Sequence, residues 1–369
     1  ASVQTLVRAI TYQNTDTDNP TAGARVVRTT INDGDGGTSA NADVTVTVAA
    51  VNDVPTIANL GSDSFTFTEG AAATVIDQST AAVLADVDSS NFAGGNLTVT
   101  ITSGEDSAED VLSLSTSGTV ALASTSSGAN VSVGNTVVGT LANAIAAGND
   151  LVVNLNSAAT AANVQTLVRA ITYQNTDTDN PTTGNRVVRV TVNDGDGGTS
   201  ANADVTVTVA AVNDVPTIAN LGSDSFTFTE GAAATVIDQS TAAVLADVDS
   251  SNFAGGNLTV TITSGEDSAE DVLSLSTSGT VALASASANA NVSVGNTVVG
   301  TLANAIAAGN DLVVNLNSAA TVAHVQTLVR AITYQNTDTD NPTAGNRTVR
   351  VTVNDGDGGT SANAAVTGT

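Results

Sequence analysis

"VTVTVAAVNDVP" fills positions 205–216, and the same string stands at 44–55. Its first half alternates: Val205, Val207 and Val209 fall on one side of an extended chain, Thr206 and Thr208 on the other. Side chains in a strand point to opposite faces in turn, so this is a strand with one buried and one wet face. Its second half cannot go on pairing. Asn213 and Asp214 favour a turn, and Pro216 has no N–H to give to a ladder. The string is a strand that ends on an acidic, proline-closed step.

Working outward, the chain is a repeat. "VQTLVRAITYQNTDTDNP" begins at Val3, Val164 and Val325, an offset of 161 each time (164 − 3 = 325 − 164 = 161). Taking "NDVP" as the start of a unit, residues 52–212 are one complete unit and 213–369 nearly a second. Residues 1–51 are then the C-terminal part of a third, either as an excerpt of a longer array or completed by strands of another chain. Within a unit, period-two alternation recurs. Phe65 and Phe67 share a face, as do Leu97, Val99 and Ile101, and Val188, Val190 and Val192, while Arg189 and Thr191 point away. "VALAS", "TVVGTL" and "DLVVNL" add shorter strands. One segment breaks the pattern: Val164, Leu167, Val168 and Ile171 fall at i, i+3, i+4 and i+7, one face of a short helix that Thr160 can cap. Asn-, Asp- and Gly-rich runs such as "NDGDGGTSAN" supply tight turns. The expected fold is all-β: tandem antiparallel β-sandwich domains, each with one short helix.

The 369 residues carry 36 acids against 9 bases, for a net charge of −27, and every base is Arg. Such a charge disfavours nucleic acid and anionic membrane surfaces and favours a cation as partner. Cys is absent, which fits surface proteins that fold without disulfides. No signal peptide and no apolar run long enough to span a bilayer is visible, so any secretion signal or anchor would lie outside this stretch. No constellation reads as catalytic: there is no thiol and no Lys, and the one His, His324, is matched by Ser2 and Asn163 in the other copies. It reads as an exposed loop residue at a helix start, and the chain as a non-enzyme. "NDGDGG" is similar to calcium-coiling glycine–aspartate nonapeptides, but each copy is isolated and reads as a hairpin turn.

The acids are better read in order. Glu69, then "LADVDSS", then a late "VTVNDGDGG", then "VTVTVAAVNDVP" resembles the bacterial form of the cadherin repeat, found in tandem in large surface and adhesion proteins. The resemblance covers nearly the whole unit. It implies cadherin/Ig-like sandwiches, an extracellular or cell-surface location, and Ca²⁺ held by oxygens from both sides of a domain junction. Carried over residue by residue, the junction at Asn213 and Asp214 would use Glu69 from the unit before, Asp247 and Asp249 from the unit after, and Asp355 near that unit's end. Asp177 and Asp179 match an acidic motif more loosely. The upstream junction would use Asn52, Asp53, Asp86, Asp88 and Asp194, with Asp16 and Asp18 as additions. The family linker has a further Asp before the Asn-Asp pair and an Asn after it. Here those places are Ala and Val, which implies fewer ions per junction.

The function this implies is a structural, adhesive array whose junctions are stiffened by calcium, with neighbouring repeats of the same chain as partners. Two alternatives stand beside it. One is a filament subunit assembled by strand exchange, with other copies of the chain as partners in a fibre. The other is a carbohydrate-binding module, against which the lack of Trp and the single Tyr per unit count.

Overall fold

The computed structural model describes residues 2–369. Two compact units divide the chain, one ending at Ala211 and one running Val212–Thr369. The first opens with α1 (Ser2–Arg8) and a hairpin of β1 (Gly23–Thr29) and β2 (Ala42–Val48). Then come β3 (Thr56–Ala58), β4 (Ser64–Thr68), β5 (Thr74–Val75), β6 (Val83–Ala85), β7 (Asn96–Ser103) and β8 (Asp110–Leu114). They are followed by β9 (Val120–Leu122), β10 (Asn130–Val133), β11 (Thr136–Leu141), β12 (Leu151–Leu155), α2 (Ala161–Ala170), β13 (Ile171–Asn175), β14 (Gly184–Asn193) and β15 (Ala203–Ala210).

The main sheet has eight strands in the order β4-β15-β14-β7-β12-β11-β10-β9, faced by a three-stranded sheet β5-β13-β8. The pairings are antiparallel except β4 with β15, which run parallel with Ser64 opposite Thr206 and Thr68 opposite Ala210. Alternation decides what is inside: Val188, Val190 and Val192 on β14, Val205, Val207 and Val209 on β15, and Leu97 and Val99 on β7 are buried, while the threonines between them are not. The rings of Phe67 and Tyr173 meet edge to face across the two sheets, centroids 5.4 Å apart. Between residues 52 and 211 this is the expected all-β sandwich with one short helix, α2. The second unit repeats it: its eight-stranded sheet is built the same way around the strand Asn257–Ser264.

The helix starts where its cap predicts, with the Thr160 hydroxyl accepting from the Asn163 N–H, and it buries Val164, Leu167 and Val168. Ile171 is a correction. It is buried but lies outside the helix, as the first residue of β13, where it pairs with Leu114 on β8. His324 is a second correction. It sits in the first turn of the helix Val322–Arg330, half-buried, with Nδ1 2.7 Å from the Ala319 carbonyl. Asn163 makes the equivalent bond to Ala158 at 2.8 Å, so the two residues do the same local task. Among the described residues no helix is long and apolar enough to cross a membrane.

Candidate metal centre

Three loops meet at one end of each unit. In the first unit they are the Asn52-Asp53 step, the Asp86–Ser89 turn after β6, and the turn that joins β14 to β15. Asp86 Oδ1 accepts from the N–H groups of Asp88 (3.3 Å) and Ser89 (3.0 Å), which folds the Asp-Val-Asp segment into a turn. Asp88 Oδ2 accepts from the Asp53 N–H at 3.0 Å. Asn52 Nδ2 donates to Asp194 Oδ2 at 2.8 Å. The second unit repeats these contacts: Asp249 Oδ2 takes the Asp214 N–H at 3.0 Å, Asp247 Oδ1 the Ser250 N–H at 3.0 Å, and Asp355 Oδ2 the Asn213 amide at 2.9 Å. Asn52, Asp53, Asp86, Asp88 and Asp194 are thus brought together, as are Asn213, Asp214, Asp247, Asp249 and Asp355.

The carboxylates within each set differ. Asp194 and Asp355 are fully buried, at 0% exposure, and saturated with donors. Asp194 Oδ1 accepts from the N–H groups of Asp196 (2.8 Å) and Gly198 (2.9 Å), and Oδ2 takes the Asn52 amide. Burial alone would push the Asp194 and Asp355 carboxyls up, but the Asn amide and the loop N–H groups outweigh it and hold both below the usual range. A Cβ at Gly198 would lie 2.1 Å from Asp194 Oδ2 and 2.9 Å from the Asn52 amide nitrogen, so only glycine lets the loop wrap the carboxylate this closely. Asp86 and Asp247 go the other way. Burial pushes them up, and the neighbouring Asp88 and Asp249 carboxylates add to the rise.

Side-chain oxygens that are both buried and without a hydrogen-bond partner are concentrated here. They are Asp86 Oδ2, Asp88 Oδ1 and Ser89 Oγ in the first unit, and Asp214 Oδ2, Asp247 Oδ2, Asp249 Oδ1 and Ser250 Oγ in the second. Buried polar groups are almost always satisfied, and leaving one unmade costs about 1–3 kcal/mol. A set of orphaned oxygens at one place in each unit fits a hard cation, which takes oxygen ligands only. Carboxylates do not complete such a site by themselves. Among the described residues no three His, Cys, Asp or Glu side chains are grouped so that they could hold a metal ion.

The other expected ligands lie at the far end of the unit. Asp194 follows the last residue of the ten-residue β14, and Asp177 and Asp179 precede its first, so roughly 30 Å of strand separates them. Glu69 is at that far end too, its N–H donating to the Ala210 carbonyl at the end of β15. Asp177 Oδ1 is engaged in its own turn by the N–H groups of Asp179 (2.9 Å) and Asn180 (3.0 Å). Those bonds hold its carboxyl below the usual range. In residues 1–51 the same turn reaches a neighbouring loop: Asn19 Nδ2 donates to the Val87 carbonyl at 3.2 Å, which sets the Asp16–Asp18 turn against the Asp86–Asp88 loop. Reading the sequence missed Asp106 and Glu109, which organise this far end. Glu109 Oε2 accepts from the Asn175 amide (2.9 Å) and the Thr182 N–H (3.0 Å), and Asp106 Oδ2 from the Thr182 hydroxyl (2.7 Å). The acidic run "GEDSAED" at 104–110 was the available signal.

No protein-family model matches the chain, and no curated protein matches it. Among solved structures it is similar to the extracellular cadherin domains 1–5 of protocadherin gamma B2, at 11% identity and TM-score 0.30 over 95% of this chain and 45% of that one. It is also similar to mouse cadherin-23 EC22-24, at 15% identity and TM-score 0.29 over 86% of this chain and 66% of that one. A third likeness is to CfaE, the adhesive subunit of the CFA/I fimbria of enterotoxigenic Escherichia coli, at 14% identity and TM-score 0.31 over 84% of this chain and 98% of that one. The chain therefore spans less than two thirds of each cadherin.

Proposed function

We propose that this chain is part of a structural, adhesive array of sandwich units on the outside of a bacterial cell, with calcium at the Asn-Asp steps between units. The observation that carries this reading is the orphaned oxygens: Asp86 and Asp88 in one unit, and Asp214, Asp247 and Asp249 in the other, keep a buried carboxylate oxygen unpaired. Asp86 and Asp88, with their counterparts Asp247 and Asp249, would hold the ion, and the N–H groups of Asp53 and Asp214 would anchor Asp88 and Asp249 beside it. Asn52 and Asn213, with Asp194 and Asp355, would fix the loop beside it. Glu69, Asp177 and Asp179 are assigned to the opposite end of the unit, where they would serve the next step along the chain. When bound, calcium supplies positive charge between carboxylates that otherwise repel by about 4 kcal/mol at 4 Å and an effective dielectric near 20. Extracellular calcium modules work at about 10⁻⁴ to 10⁻³ M, which suits a protein outside the cell.

Small-angle scattering of the full chain tests the reading. The maximum dimension should grow when calcium replaces chelator, and Asp247→Ala with Asp249→Ala should remove most of that growth while leaving the second unit folded. Identical scattering in calcium and in chelator would overturn the stiffening role.

A further inference from the structure

Ser89 and Ser250 each follow directly on the Asp-Val-Asp segment of their unit. Their N–H groups are used, donating to Asp86 Oδ1 and Asp247 Oδ1, both at 3.0 Å. Their hydroxyls are not. Ser89 Oγ and Ser250 Oγ are sealed from solvent and bond to nothing, although carboxylates of the same turn are adjacent in the chain. A serine hydroxyl rotates freely to donate or accept, so it rarely stays unmade beside carboxylates unless the site is built for something else. The same hydroxyl is left over in both units, in the same turn as carboxylate oxygens that are also left over.

We infer that the Ser89 and Ser250 hydroxyls are themselves ligands of a divalent cation held by Asp86 and Asp88 in the first unit and by Asp247 and Asp249 in the second. This rests on the metal reading proposed above and extends it to a ligand type that the acidic pattern does not contain. Calcium takes about six to eight oxygens and accepts neutral ones readily. A further carboxylate in this turn would add a third negative charge beside the two of the Asp-Val-Asp segment. A hydroxyl adds an oxygen and no charge.

The test uses the full 369-residue chain carrying Ser89→Ala and Ser250→Ala together, with Ser89→Thr and Ser250→Thr as the conservative pair. Calcium affinity is read by titration calorimetry and by terbium luminescence, and folding by thermal melts in chelator. The alanine pair should melt as the parent does in chelator and bind calcium roughly threefold to tenfold more weakly, the worth of one ordinary polar contact. The threonine pair should bind within about twofold of the parent, since it keeps the hydroxyl oxygen. An alanine pair that binds as tightly as the parent would overturn the inference, and would mean that a bridging water satisfies the hydroxyls instead. A parent that takes up no calcium, alike with Asp249→Asn, would bring down the metal reading itself, a result that the alanine pair cannot mimic.

Discussion

Residues 1–51 and 162–212 have nearly one sequence and two fates. They differ at Ser2/Asn163, Ala22/Thr183, Ala24/Asn185, Thr29/Val190 and Ile31/Val192. In the second copy Leu167 and Tyr173 are 0% exposed; in the first, Leu6 is 69% and Tyr12 43% exposed. The helix α1 buries no residue, and no strand forms at Ile10–Asn14, where the second copy has β13. The two copies differ in what flanks them among the described residues. β13 exists because β5 and β8 flank it, and β14 runs ten residues because β7 pairs along its other edge. Among the described residues no such edge or facing sheet meets the first copy, which keeps α1 and a two-stranded hairpin, a marginal structure.

What survives in the first copy is what is local. The Arg28–Asp43 bridge forms at 2.8 Å, as Arg189–Asp204 does, because both ends lie on one hairpin. The Asp-Gly turn also survives, with the Gly37 N–H on Asp33 Oδ1 at 2.9 Å. What is lost is distant in sequence. Arg186 is buried and donates from Nε to Asp110 Oδ2 at 2.9 Å, across 76 positions. Tyr173 donates to the same carboxylate, and its hydroxyl is pushed up by burial first and by that carboxylate second. Arg25 holds only the carbonyls of Thr21 and Gly23.

Three pairs of substitutions would break or sharpen this contrast. The largest effect is expected from Asp110→Ala, which leaves the Arg186 guanidinium buried and unpaired and costs about 3–5 kcal/mol. A urea titration of the first unit reads it, and Arg25→Ala should leave that curve unchanged. If both variants shift the midpoint alike, Asp110 is not what sustains the buried arginine. Leu167→Ala comes next, at about 2–5 kcal/mol for a core leucine with a cavity left behind. Leu6→Ala should cost roughly 0.5 kcal/mol or less, as an exposed site does. Similar losses would mean that the helix of the first copy is packed in solution. The smallest effect is expected from Arg28→Ala and Arg189→Ala. Each should speed amide exchange only at the hairpin residues around it, and by the same factor in both copies. A clear difference between them would show that the first hairpin does not hold its register.

The same division between local and distant explains how much was legible in the sequence. Alternation found the strands, i, i+3, i+4 spacing found the buried face of α2, and the repeat offset found the Asn-Asp step, because each signal is contained in a short window. Ile171 was misread because its fate is set by Leu114, far back in the chain. The parallel pairing of β4 with β15 has no local signature at all. Of the candidate site, the acids were visible as types. That Asp194 and Asp355 are consumed by backbone donors, while Asp88 and Asp249 keep a free oxygen, depends on how three loops converge. Ser89 and Ser250 carry no signal as single letters; only their burial singles them out.

The parallel pair has a mechanical meaning. After the short β3, which pairs with β6, the chain of the first complete unit runs into β4, and it leaves the unit at the end of β15; β4 and β15 lie side by side from Ser64–Thr206 to Thr68–Ala210. Traction on the two ends would drag these strands in opposite directions along their shared length. The ladder between them would then be loaded in shear, all its bonds at once, instead of being unzipped one after another. Resistance to force in such a unit would reside in that short seam at the edge of the sheet.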